Sequence, residues 1–200
     1  MMMKTVELLN QQYFLSLNAI PSTSPKIISF ATFCAQYTLF IIPVTLLILW
    51  FLKGKKGHQQ VLFCILTILI ALLLNFIIAA LWYHPRPFML PLGKTWINHA
   101  PDTSFPSDHA TLFFSAGLSL LVSNARRSGV LILFISIFVA WSRIFLGVHF
   151  PLDIAGAILV TISALFLTYY AWKLVGDTLT GYCERISIYL FSWLPDKFTP

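Results

Sequence analysis

The chain consists of long apolar runs separated by short polar segments. Residues 27–52 and 61–83 carry no charged side chain. At about 1.5 Å per residue, either run as a helix crosses a hydrocarbon core of roughly 30 Å. Transmembrane strands would instead alternate apolar and polar positions, and these runs do not alternate. The pattern therefore predicts an all-α, polytopic membrane protein.

The same pattern predicts about five spanning helices, with an amphipathic segment at each end of the chain. In the N-terminal segment, residues 4–20, apolar residues recur at three- and four-residue steps, as in a helix that lies in the membrane interface. A second amphipathic candidate is Tyr182–Leu194. The spanning helices are predicted at about 27–52, 59–83, 107–123, 129–147 and 152–175. We expect one integral-membrane domain, made of an interfacial segment at 1–25, a transmembrane core at 26–175 and a cytoplasmic tail at 176–200.

Composition supports this reading. The chain is 58% hydrophobic and 10% charged, whereas soluble domains carry about 25% charged residues. A net charge of +6 would suggest nucleic acid as the partner of a soluble protein. Here we attribute it to membrane topology and expect no nucleic-acid partner. The three cysteines lack ligand spacing and are interpreted as small apolar residues.

Basic residues indicate the orientation, because Lys and Arg concentrate in cytoplasmic loops. Eight of the 13 basic residues lie at or after the ends of the first, third and fifth predicted helices, so these segments should share the cytoplasmic side. The N-terminus and the segments 84–106 and 148–151 then face outward. The inverted orientation would place only the other five basic residues inside, among them Arg86 and Arg143, and is less favourable.

Three polar patches fall at the predicted outer ends of helices: HPRPF at 84–88, FPSDH at 105–109 and SRIFLGVHFPLD at 142–153. The topology places all three at one membrane face. Together they offer the side chains of Arg86, Ser107, His109, Ser142, Arg143, His149 and Asp153.

Part of this set suits a phosphate. Arg86 and Arg143 offer planar forks of donors that match phosphate oxygens, and Ser107 adds a hydroxyl. Pro106 is expected in the first turn of a helix, where its missing N–H costs nothing. The free N–H groups of that turn would add further donors.

The remaining residues suit nucleophilic and acid–base chemistry. Asp153 follows His149 by four residues, so its carboxylate can hold one ring nitrogen and leave the other free to attack. His109 could give a proton to a leaving oxygen. A metal site is disfavoured, because the carboxylates are not clustered and two arginines would repel a divalent cation. We expect no metal and no cofactor.

The motifs RP at 86–87, PSDH at 106–109 and SRIFLGVHFPLD at 142–153 resemble those of the type-2 phosphatidic acid phosphatase superfamily. The third motif matches at every fixed position, and the likeness covers about residues 80–155. FPSDH preceded by RPF resembles the bacterial undecaprenyl-diphosphate phosphatase branch, the bacitracin-resistance type. The resemblance implies that His149 is the nucleophile and forms a phosphohistidine, and that Asp153 orients it. It further implies that His109 protonates the leaving group and then activates water, and that the phosphoryl oxygens are bound by Arg86, Ser107 and Arg143.

Two positions depart from the superfamily pattern. Ala79 stands where its first motif has Lys, and Asp108 stands where its second motif usually has Gly. Lys94 is a candidate replacement cation, and His99 and Asp108 are further candidates for contact with a second phosphate. A carboxylate at Asp108 would repel the phosphate unless it turns away, for example to cap the start of the helix. Both departures fit the undecaprenyl branch better than the phosphatidate-type enzymes.

The expected function is hydrolysis of undecaprenyl diphosphate at the periplasmic face of the bacterial inner membrane, which recycles the cell-wall lipid carrier. The expected partners are this lipid and the bilayer, and the oligomeric state stays open. The alternatives are phosphoryl transfer to lipid A, a phosphatidylglycerophosphate or other lipid phosphate phosphatase, and a non-catalytic lipid transporter. His84 and Asn75 are interpreted as structural, Asn75 as a link between helices.

Overall fold

The computed structural model describes residues 2–191, and within them the chain is helical and contains no strand. Short 3₁₀ turns lie at Thr38–Phe40 and Pro87–Met89. The α-helices are α1 Met2–Leu17, α2 Pro25–Gln36, α3 Ile41–Leu52, α4 Gly54–Leu81, α5 Asp108–Val122, α6 Arg126–Phe145 and α7 Pro151–Phe191. The predicted all-α class is confirmed.

Four helical stretches among the described residues are long and apolar enough to cross a membrane. The first is formed by α2 and α3 together, since only the 3₁₀ turn interrupts it, and the others are α4, α6 and α7. The apolar α5 is shorter, at 15 residues. Large apolar side chains such as Phe76, Leu81 and Leu174 are exposed on these helices, as expected of surfaces that contact lipid. The polytopic bundle is therefore confirmed, with α5 as its short member.

Helix α7 corrects the sequence-based boundaries. It was expected to end near residue 175, but its 41 residues run without interruption to Phe191, a length of about 60 Å. Tyr182 therefore lies inside α7 and does not begin a separate amphipathic helix; Leu194 lies outside the described residues. Apolarity falls after residue 175, but no proline occurs between Pro151 and Pro195 to end the helix.

Two contacts hold the distal part of α7 against the α3–α4 turn. His58 Nδ1 lies 3.1 Å from Glu184 Oε1, and Trp50 Nε1 donates to Ser187 Oγ at 3.1 Å. The side chain of His58 is fully buried. A buried imidazole held by a carboxylate gives the polar end of α7 a tertiary partner, which hydropathy alone does not reveal.

Helix α5 occupies the centre of the bundle and packs against α4, α6 and α7. Its residues Phe113, Ala116 and Leu120 form a buried core with Ile132 and Val139 of α6. Because α5 is surrounded by other helices, the residues at its start lie close to the ends of the helices that carry the other two patches.

Helix α1 docks at the same end of the bundle as the segment 84–106. Phe14 is fully buried, and its ring stands edge-on to Phe150 with centroids 5.2 Å apart. Asn18 Nδ2 donates to the carbonyl of Lys94 at 2.9 Å, and the amide of Lys94 donates to Asn18 Oδ1 at 2.7 Å. Leu8 on this helix remains exposed. The amphipathic helix predicted here therefore has one face on the protein and an apolar face left for the membrane.

Candidate active site

The structure brings the three polar patches together. Arg86 follows α4, Ser107 immediately precedes α5, and His149 lies in the turn between α6 and α7. Arg86 Nη1 donates to the carbonyl of Val148 at 2.9 Å and lies 3.1 Å from His149 Nε2. The predicted convergence of the motifs at one end of the bundle is therefore seen directly.

The turn that presents His149 depends on Gly147. Its φ is +82°, in the left-handed region that favours glycine, and a Cβ there would collide with the carbonyl oxygen of Lys94. This conformation folds the chain back so that the amides of Val148 and His149 both donate to the carbonyl of Arg143, at 3.1 and 3.3 Å. The glycine thus fixes the spacing between the guanidinium and the imidazole.

The Nδ1 side of His149 is fully engaged. Nδ1 lies 2.9 Å from the carbonyl oxygen of Ser104 and 3.3 Å from Asp153 Oδ2. A carbonyl oxygen can only accept, so Nδ1 carries the proton of the neutral ring. Nε2 therefore holds the lone pair, and Arg86 Nη1 donates to it at 3.1 Å.

Burial sets the charge of this imidazole. His149 is 2% exposed, and burial lowers its pKa to about 4. The hydrogen bond and charge of Asp153 oppose that shift, while Arg143 and Arg86 lower the pKa further. His149 is therefore neutral at neutral pH, and Nε2 is available as a nucleophile.

Asp153, in the first turn of α7, is completely buried, and its Oδ2 gathers several donors. The hydroxyl of Ser104 donates to it through a short hydrogen bond, and the amide of Phe150 donates at 2.7 Å. These bonds and His149 Nδ1 fix the carboxylate in place. Ser104 was not singled out from the sequence, because a loop serine beside the FPSDH patch has no distinguishing spacing.

Several buried donors nearby have no hydrogen-bond partner within the described part of the chain. They are Arg143 Nε, Arg143 Nη2 and Ser107 Oγ. Arg143 is 2% exposed and Ser107 is fully buried. Leaving such groups unpaired costs about 1–3 kcal/mol each, so their placement indicates a site built for an anion.

The start of α5 differs slightly from expectation. Ser107 occupies the N-cap position and Asp108 is the first helical residue. Pro106 therefore precedes the cap. The sequence had predicted Pro106 in the first turn of the helix, and that prediction is wrong. The N-terminus of α5 still lies beside the site, because the amide of Ser107 donates to the carbonyl of Asp153 at 3.2 Å.

Asp108 is turned towards α4. Its Oδ1 accepts from Asn75 Nδ2 at 2.8 Å, and Asn75 also donates to Thr111 Oγ1 at 3.0 Å. Asn75 therefore links α4 to α5, as predicted, and the carboxylate that replaces the family glycine is its partner. Its position in the first turn of α5 is also favourable to negative charge.

A cavity of about 660 Å³ extends from this region between α4 and α5. Its polar lining includes Asp102, Asp108 and His109, and Ala79 lies in the same wall. Leu72 and Phe76 continue the wall with apolar surface. The two departures from the superfamily pattern thus face one cavity.

The other candidates for phosphate contact, His99 and Lys94, and the neighbouring loop residue Asp102 have different surroundings. The His99 ring lies 6.2 Å from the His149 ring, centroid to centroid. Burial lowers the pKa of His99, and the charges of Arg86 and Arg143 lower it further. Asp102, which is 59% exposed, accepts from Arg86 Nε at 2.7 Å. Lys94 is exposed, and its ammonium lies 4.4 Å from the centre of the Trp96 ring.

Between residues 2 and 191, no group of three or more His, Cys, Asp or Glu side chains could hold a metal ion. The charge that an anion would meet comes instead from Arg86 and Arg143. The arrangement combines a buried neutral imidazole, a carboxylate beside it and, among the described residues, buried guanidinium and hydroxyl donors without partners.

Known proteins are similar to this chain in sequence and in fold. A sequence profile described as the PAP2 superfamily matches residues 60–176. YbjG of Escherichia coli (strain K12), provisionally named an undecaprenyl-diphosphatase, is 33% identical over 174 residues, covering 87% of this chain and 88% of YbjG. Undecaprenyl-diphosphatase BcrC of Bacillus subtilis (strain 168) is 29% identical over 161 residues, covering 80% of this chain and 83% of BcrC. In fold, the first transmembrane PAP2 type phosphatidylglycerolphosphate phosphatase from Bacillus subtilis matches with a TM-score of 0.63 at 18% identity, over 86% of this chain and 88% of that chain.

Proposed function

The chain belongs to the PAP2 superfamily, and from this we propose that it hydrolyses undecaprenyl diphosphate to undecaprenyl phosphate and inorganic phosphate. It is a lipid phosphatase by family and by the activity that its relatives' names give. The observation that carries the proposal is the set of buried Arg143 and Ser107 donors that have no hydrogen-bond partner among residues 2–191, together with the Nε2 lone pair of His149, which faces Arg86. A terminal phosphate would satisfy these donors and meet the nucleophile at once.

Substrate binding uses the two guanidiniums. Arg86 and Arg143 bind the oxygens of the terminal phosphate. Ser107 and the N–H groups at the start of α5 donate further hydrogen bonds to it. Arg86 Nη1 now donates to His149 Nε2. When phosphate binds, this donor moves to a phosphoryl oxygen and releases the lone pair of Nε2 for attack.

His149 then attacks phosphorus in line. The N–P bond forms as the bond to the bridging oxygen breaks, and the lipid monophosphate leaves with a proton from His109. This leaving group is already good, so neutralisation of charge on the transferring phosphoryl group carries most of the catalysis. Asp153 stabilises the positive imidazole ring of the phosphohistidine.

Water completes the cycle. His109 accepts a proton from a water molecule, which attacks the phosphohistidine, releases inorganic phosphate and regenerates neutral His149. No step in this sequence requires a metal ion, because the arginines supply the positive charge that a metal would otherwise provide.

The lipid enters sideways from the bilayer through the cavity between α4 and α5. Leu72 and Phe76 offer an apolar wall to the polyprenyl chain, and His109 lies in the same lining. From there it would reach the leaving oxygen. His99, whose ring centroid lies 6.2 Å from that of His149, is our candidate for contact with the second phosphate. Asp108 does not bind it directly in this scheme, since Asn75 holds its carboxylate.

The site faces the outside of the bacterial inner membrane. The support is the distribution of basic residues in the sequence, eight of which cluster at the opposite ends of the predicted helices. Hydrolysis there would recycle the cell-wall lipid carrier and raise bacitracin tolerance when the enzyme is abundant.

The test is phosphate release by purified protein from a panel of undecaprenyl diphosphate, a shorter polyprenyl diphosphate and phosphatidylglycerophosphate. We expect the diphosphates to be preferred, and His149→Ala to abolish release. A preference for phosphatidylglycerophosphate would refute the proposed substrate. Labelled phosphate that appears on added lipid A in place of inorganic phosphate would identify a phosphotransferase, and lipid transport that survives His149→Ala without any hydrolysis would identify a transporter.

A further inference from the structure

Two buried polar atoms beside the proposed active site lie close together, and neither has a hydrogen-bond partner among residues 2–191. One is Oδ1 of Asp153, the oxygen that does not contact His149, and the other is Nδ1 of His84. They lie 3.9 Å apart. A hydrogen bond spans about 2.7–3.2 Å, so a movement of about 1 Å would join them.

The main chain holds His84 at this position. Its amide donates to Thr103 Oγ1 at 3.0 Å, and its carbonyl accepts from the amide of Ser104 at 2.7 Å. Its ring stands edge-on to Phe150, with centroids 5.6 Å apart. Because Ser104 also binds Asp153, the same short segment fixes both the histidine and the carboxylate.

The other nitrogen of His84 reaches the N-terminal helix. Nε2 lies 3.5 Å from Oε2 of Glu7 on α1. With protons on both nitrogens, the ring can donate to Glu7 and to Asp153 together. A chain of polar groups then runs from Glu7 through His84 and Asp153 to His149.

The two carboxylate oxygens of Asp153 have unequal numbers of hydrogen-bond donors. Oδ2 has Ser104, the amide of Phe150 and His149 Nδ1, whereas within the described part of the chain Oδ1 has only the nearby His84. A buried carboxylate oxygen without a donor is costly, and a donor there would hold the carboxylate charged and oriented as the His149 ring becomes positive.

We propose that His84 is a positioning residue that donates to Asp153 Oδ1 during turnover and is itself held by Glu7. This inference rests on the proposed role of His149 as nucleophile. It gives α1 a part in the site: the amphipathic helix supports the outer end of the polar chain that orients the nucleophile. The sequence had suggested only a structural role for His84.

Two substitutions separate this role from simple packing. In His84→Asn, the side-chain amide nitrogen takes the place of Nδ1 and keeps a donor towards Asp153, but the ring contacts are lost. In His84→Phe, the ring contact with Phe150 is kept and both donors are lost. A positioning role predicts that His84→Asn is the more active variant, and a packing role predicts the reverse order.

The assay is steady-state phosphate release from undecaprenyl diphosphate by purified protein. We expect kcat of His84→Phe to fall about 10- to 100-fold, the effect of losing one hydrogen bond to a charged group. We expect kcat of His84→Asn to stay within about 5-fold of the wild type, and KM of both within about 2-fold, since the phosphate-binding donors are untouched. Glu7→Gln should show a smaller fall in kcat, because it acts through His84.

Equal kcat values for the two His84 variants, or a higher value for His84→Phe, would overturn the proposal. If His84→Phe does not give folded protein, His84→Gln takes its place, since its amide is one bond too far along the side chain to replace Nδ1; the same rank order is then required. Failure of the underlying function gives a different result, because the wild type would then release no phosphate or His149→Ala would remain active.

Discussion

Ser104 provides a sharp test of how the nucleophile is held. Ser104→Ala removes the hydroxyl that donates to Asp153 Oδ2 and changes little else, because the side chain is fully buried and alanine fits in its place. The carbonyl of Ser104 still accepts from His149 Nδ1. The substitution therefore removes one of the hydrogen bonds that hold the Asp153 carboxylate and leaves the tautomer of His149 unchanged.

The expected size of the effect follows from the bonds that remain. A hydrogen bond to a charged group contributes about 1.5–3 kcal/mol, and Asp153 keeps its bond from the amide of Phe150. We therefore expect a loss near the lower end of that range, about 1.5 kcal/mol or about 10-fold in kcat, with little change in KM.

The assay is phosphate release from undecaprenyl diphosphate, with a thermal melt of the same samples. Ser136→Ala is the matched control, because Ser136 is also fully buried but its hydroxyl only donates to the carbonyl of Ile132 within α6. It should melt about as Ser104→Ala does and keep wild-type kcat. If Ser104→Ala also keeps wild-type kcat, or if both variants lose activity equally, Ser104 has no specific role in orienting Asp153.

Other measurements address the remaining parts of the mechanism. Since burial lowers the pKa of His149 to about 4, the ring should stay neutral as pH falls through 6.5 and become protonated only near pH 4. This can be measured by ¹⁵N NMR of labelled histidine, with the His149 signal assigned from His149→Gln. Protonation near the ordinary value of about 6.5 would contradict the expectation. Arg143→Lys should lower kcat/KM about 10- to 100-fold, because Lys cannot reproduce the fork of donors; an unchanged value would remove Arg143 from the phosphate site. Activity should survive EDTA, and a strict requirement for a divalent metal would refute the mechanism. Vanadate should inhibit as a mimic of the trigonal-bipyramidal transition state, and its failure to do so would count against the phosphohistidine.

The position of Asp108 illustrates a limit of reasoning from sequence. The sequence marks it as a departure from the family pattern, and charge alone suggests that it must turn away from a phosphate. Its partner, Asn75, is 33 positions earlier in the chain, and no local pattern pairs the two. Only the packing of α4 against α5 identifies what the carboxylate contacts.

The end of α7 shows the same limit for secondary structure. Hydropathy falls after residue 175 and suggests that the helix stops there. The structure continues it to Phe191, with Glu184 bound to the buried His58 and Ser187 to Trp50. A tertiary partner makes a polar helical extension stable, and hydropathy does not report on partners that are distant in sequence.

The sequence by itself determined the class of the molecule and the identity of its chemical groups. Long uncharged runs are enough to predict membrane helices, because backbone groups in a bilayer must be satisfied within the helix. The motif spacing is enough to nominate Arg86, His109, His149 and Asp153, because each motif is local. The tertiary structure decided which atoms of these groups are occupied and which are free. It shows that Nδ1 of His149 carries the proton while the lone pair of Nε2 accepts from Arg86, and that Ser104 and His84 converge on Asp153, because these relations depend on distances between segments that no local spacing encodes.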